Sequence, residues 1–224
     1  MEPQVDLKRD CAREMKDLIG GWDKDYNLLY PAYLDKWDKE KIKWLEHAEK
    51  LRKIRKGLDK DYEDDVQWCL DQYDEIMATC DAISAWCTAI CASMPEYPLL
   101  CELCYIAYAD CLLKATNTYT ACMQTAEDMY KIALERFRKE VEQDELNCQK
   151  SFHSLYTNYL FTDLGDFWHR VSVSGHDFLS SDCCMANIID CSPVKRTAKD
   201  PRAAYPEKEE KDPGSICEFV SIFK

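Results

Sequence analysis

Four cysteines lie close together in "CTAICASMPEYPLLCELC", residues 87–104: Cys87 and Cys91 as C-x3-C, Cys101 and Cys104 as C-x2-C. Thiolates at such spacings can hold zinc in a tetrahedral site, bind Cu(I) as soft ligands, exchange as a redox dithiol, or close disulfides. The wider pattern chooses among these. A zinc tetrad uses the inner four and leaves Cys69, Cys80, Cys111 and Cys122 without a role. Copper storage asks for more cysteines and methionines facing one lumen. The C-x2-C pair lacks the βαβ setting of a thioredoxin-like centre.

Disulfides account for all eight. The position numbers of Cys69 and Cys122, of Cys80 and Cys111, and of Cys87 and Cys104 add to one constant value, and those of Cys91 and Cys101 to one more. A constant sum is the signature of residues that face each other across an antiparallel hairpin, here centred on Pro95 and Glu96. Along each arm the cysteines step by eleven and seven, then by four on one arm and three on the other, which returns them to nearly one helix face. Opposed positions of tightly packed helices meet the Cα separation that a disulfide needs, about 4.4–6.8 Å. The expectation is a ladder of four bridges. Six cysteines remain. The same mirror places Cys11 opposite Cys183 or Cys184; Cys148, the other vicinal cysteine, Cys191 and Cys217 supply two more bridges of undetermined connectivity.

Other reactive side chains form no recognisable site. His169, His176, Asp177, Cys183 and Cys184 are near in sequence, but their spacing fits no standard zinc pattern. His47 and His153 lie about two turns out of register across the hairpin. The acidic "DKDYEDD" lacks the glycine and ligand order of a calcium loop. No nucleophile elbow, phosphate-binding loop, dinucleotide fingerprint, zincin or haem motif occurs. The chain is expected to be no enzyme and to need no cofactor, and no metal site is assigned.

The elements that carry these cysteines follow from periodicity. Apolar and small residues recur at threes, fours and sevens through residues 31–94, and again through 99–165, two stretches of matched length joined by "MPEYP". Before them, residues 3–19 read as a helix ended by Gly20 and Gly21, and Pro31 suits the first turn of a new one. Gly57 marks a kink. After Gly165, "RVSVS" alternates like a short strand, and 192–215 is polar and proline-rich, expected to be loosely structured; "ICEFVSIFK" returns to the body, pinned by Cys217. The fold class is therefore all-α: an elongated antiparallel helical hairpin, coiled-coil-like and stapled by disulfides. The N-terminal helix and an irregular C-terminal region pack at its base. The hairpin and bundle domain spans 1–191, with its tip at 86–108 and its base at 1–30 plus 165–191; 192–224 is the tail. Paired cysteines across a hairpin resemble the layout of small coiled-coil-helix-coiled-coil-helix proteins, but their spacing is CX9C and this chain has CX10C twice, so no family follows.

Composition bounds the function. A net charge of −13 over 224 residues argues against nucleic acid and against anionic membrane surfaces. Fourteen cysteines point to an oxidising compartment, so the chain is expected to be secreted or periplasmic. The N-terminus has no signal-peptide core, and no uninterrupted apolar run reaches membrane-spanning length. At the tip, Trp86, Met94, Tyr97, Leu99, Leu100, Tyr105 and Tyr108, with Ile90, exceed what one seam can bury. They are candidate anchors for a protein partner. The basic run at 50–60 is expected to pair with acids at 127–145 on the opposite helix. The reading is a non-enzymatic interaction or structural protein with its partner unknown and a homo-oligomer open. The alternatives are a thiolate metal protein holding zinc or copper, and a membrane-acting helical toxin.

Overall fold

The computed structural model describes residues 3–223. Two helices dominate: α1 (Pro3–Ser93) and α2 (Pro98–Asn158). A π-helical turn (Tyr159–Leu164) follows α2, then α3 (Gly165–Leu179), α4 (Asp182–Met185), α5 (Ser192–Lys199), α6 (Pro201–Ala204) and two 3-10 turns, Gly214–Cys217 and Phe219–Phe223. The described residues contain no strand. Two compact units divide the chain: Met1–Ala48 with Asp144–Phe219, and Glu49–Gln143 with Val220–Lys224.

The second unit is the helical hairpin. Its two arms are antiparallel and joined by the turn at residues 94–97. The tyrosine pairs Tyr62–Tyr130 and Tyr73–Tyr119 meet across the seam, with ring centroids 4.5 and 5.2 Å apart. Phe137 and Val141 fill it further from the turn. Around the turn, the Tyr97 N–H donates to the Met94 carbonyl and the Leu100 N–H to the Tyr97 carbonyl, at 3.2 and 3.1 Å. Pro98 opens α2 where its missing N–H has no intrahelical acceptor to lose.

The first unit is a small aromatic-rich bundle. Tyr33 of α1 packs on Tyr159, Trp37 on Phe152 and Trp44 near Phe219, and the Trp44 indole donates to the Ser151 hydroxyl at 2.9 Å. Phe167, Trp168, Val171 and Gly175 form the buried stripe of α3, against which α5 places Val194 and Ala198. The Trp168 indole donates to the Tyr205 carbonyl and the Tyr205 hydroxyl to Asp23, at 2.8 and 2.9 Å. The Phe219 N–H donates to Glu145 at 2.6 Å, next to the bridge from Cys148 to Cys217.

Four local readings change. α1 runs through Gly20, Gly21 and Pro31 without a break. Trp22, Tyr26, Tyr30 and Tyr33 pack against α3, Tyr205 and Tyr159, and that burial outweighs the local cost of glycine and of one lost backbone bond at proline. "RVSVS" is helical, because the buried stripe of α3 has helical spacing and the alternation is incidental. Residues 192–204 form α5 and α6; each begins with a proline in its first turn, and Asp200 accepts the Ala203 N–H at the start of α6. The basic run does not pair across the hairpin: Arg52 and Arg55 bond Glu49 and Asp59 of their own helix, and Arg55 also lies over the Tyr130 ring.

Candidate contact surface at the hairpin tip

The ladder is what holds this surface still. Cys69–Cys122, Cys80–Cys111, Cys87–Cys104 and Cys91–Cys101 are bonded, with Cα separations of 5.8, 5.5, 5.4 and 5.4 Å. Small residues on the same face, such as Ala115 and Ala126, let the helices come close enough. In the first unit, Cys11 bonds Cys183, Cys184 bonds Cys191 and Cys148 bonds Cys217. All fourteen cysteines are bonded in pairs and none is left free. The described residues hold no cluster of three or more groups suited to a metal.

The histidines have separate partners. His47 contacts Asp144 at 2.7 Å and His153 contacts Glu210 at 3.2 Å. His169 and His176 are exposed on α3, and the neighbouring Cys183 and Cys184 are consumed by disulfides.

The tip side chains divide by exposure. Trp86, Met94, Tyr97, Leu99, Leu100 and Tyr105 are exposed, Leu99 the most at 75%. Ile90 and Tyr108 are half-buried beside the seam. Three further residues belong with them: Leu103, Ile106 and Leu113 are each more than half exposed. With Leu99 and Asp110 they step by four and three along α2, on the face turned away from Cys104 and Cys111. Counting the apolar pattern on the face opposite the cysteines would have found this stripe; attention to the cysteine face hid it.

Two more features frame the surface. Between Lys60 and Lys114 there is no Lys, Arg or His, so every charge at this end is acidic, including Asp81, Glu96, Glu102 and Asp110. One stretch of α1 is also long and apolar enough to cross a membrane by length and composition, with mean hydropathy 1.4 and 11% of it buried. The sequence places that stretch at the end of α1 nearest the turn. The chain matches no protein-family model, no curated protein and no solved structure.

Proposed function

We propose that this chain is a non-enzymatic extracellular or periplasmic interaction protein, whose disulfide-stiffened hairpin end presents an apolar and aromatic surface to a protein partner. One observation carries the reading: large apolar side chains are exposed on a backbone pinned by four bridges. Side chains on a preorganised surface lose less entropy on binding than those on a mobile loop. Trp and Tyr are the residue types that most often anchor an interface. Bridges also resist proteolysis, which suits an exposed position outside the cell. Seven disulfides also point to an oxidising compartment.

The test is retrieval of the partner from native extracellular material by wild-type protein and by a Trp86→Ala/Leu99→Asp/Leu103→Asp variant of unchanged disulfide content. The reading expects a partner bound by wild type and at least tenfold weaker with the variant. Equal retrieval by both contradicts it.

A second reading rests on the apolar stretch of α1: the hairpin end docks into a lipid bilayer. Dye release from zwitterionic vesicles, with and without reductant, separates the two. Release under either condition favours the lipid, and intact vesicles favour the protein partner.

A further inference from the structure

Between Lys50 and Glu75, α1 carries a surface that complements itself. Lys50, Lys53, Lys56 and Lys60 are exposed and make no ion pair with a described residue. The next stretch of the same helix, 61–75, holds seven acids and no base, and none of these acids has a cationic partner among the described residues. Gly57 and Trp68 stand eleven residues apart, about three helical turns, and so share one face. A Cβ at Gly57 would meet nothing within 4 Å, and the Trp68 ring is 60% exposed. One position is a hole and the other a knob, with opposite charge on either side.

We propose that a second copy of this chain docks here, α1 against α1 and antiparallel, about a two-fold axis level with Tyr62 and Glu63. Trp68 of each copy covers Gly57 of the other. Lys60 faces Asp64, Lys53 faces Asp71, and Lys50 faces Glu75. A two-fold interface uses the same patch twice, so one helix flank supplies both halves. Asp61 and Glu63 meet their symmetry mates near the axis and work against the pairing, but the lysine–carboxylate pairings in each half outnumber them. Trp68 also borders an apolar groove of about 380 Å³ with Cys69, Ala121, Cys122 and Met129, which gives the incoming helix a bed beside the charged rows. The charge pattern selects this occupant. A polyanion is drawn to the lysines and repelled by the acids one turn on, and a polycation meets the reverse. Parallel docking sets lysine on lysine. The inference uses a different surface from the hairpin tip and stands apart from that reading.

Sedimentation equilibrium of the full chain tests it. At low ionic strength the wild type is expected to dimerise, and raising salt to several hundred millimolar should weaken the dimer at least tenfold. Trp68→Ala should weaken it by a similar factor. Lys50→Glu/Lys53→Glu/Lys60→Glu alone and Asp64→Lys/Asp71→Lys/Glu75→Lys alone should each be monomeric. Mixed one to one, they should form a heterodimer, because each then meets opposite charge at every rung. Unfolding cannot produce that restoration. A wild type that stays monomeric at hundreds of micromolar overturns the proposal. So does a dimer indifferent to these substitutions, or a mixture that stays monomeric.

Discussion

At Gly175 a hydrogen atom is all that fits between two helices. A Cβ built there would lie 2.5 Å from the Ala198 Cβ of α5, closer than such atoms approach, and 3.4 Å from the Trp22 ring. Gly175→Val should destabilise the first unit by about 2 kcal/mol, the scale of overpacking a tight core. Ala198→Gly should return part of that loss, and thermal or urea unfolding of the single and double variants measures the coupling. Burial acts on the tyrosines of the same unit. It pushes the phenols of Tyr33 and Tyr205 above their ordinary value, and that of Tyr159 up to about 12. A raised phenol pKa contributes stability that is fully present below pH 10 and is lost as pH rises toward 12. Absorbance titration should therefore find these rings ionising late and together with alkaline unfolding. Normal, independent ionisation near pH 10 would show that they are not buried. Among single residues, the cysteines were the most legible in the sequence, because a covalent pair needs two residues at matched positions and the match can be counted. The Gly175 contact was not legible: nothing in one chain segment announces which distant residue will touch it.

The elements show where the periodic reading succeeded and where it fell short. Buried residues recur every eleven positions along α2, at Cys104, Ala115, Ala126, Phe137 and Cys148, and along α1 at Cys11, Trp22, Tyr33 and Trp44. Eleven residues make three turns of about 3.67 residues each, so a nearly straight helix keeps such a seam on one side. Threes, fours and sevens sample the same face over a short window, which is why the hairpin arms were recognisable and the longer period was not. The helix joins at Gly20–Gly21 and Pro31 were misread for a related reason. Local signals mark where a helix is cheap to break, while the aromatic packing that keeps it intact comes from residues over a hundred positions away. Each ladder rung divides a larger loop into two smaller ones, and loop-closure entropy grows only with the logarithm of length. Removing any one rung as a paired Cys→Ala variant should cost about 2–3 kcal/mol. Hydrogen exchange should show the loss concentrated in the hairpin arms around that rung, with amides of the first unit unchanged.

For the molecule as a whole, chemistry is segregated along the sequence. Aromatic core, three bridges and most of the short helices belong to one unit; the ladder, the apolar tip and the base-free acidic stretch belong to the other. An all-α, disulfide-stapled class was readable from cysteine positions and apolar period, because both are properties of long regular helices. The packing of 165–204 was not, since short helices with two-residue stripes, such as Val194 and Ala198, leave little periodic signal. The ladder of sulfur bonds joining opposed positions of the two arms is tested most directly by peptide mapping of the unreduced protein by mass spectrometry. It predicts one linked peptide pair containing Cys80 and Cys111, another containing Cys69 and Cys122, and no alkylated cysteine before reduction. Cys80 recovered as a free thiol, or bonded to any cysteine other than Cys111, would contradict it.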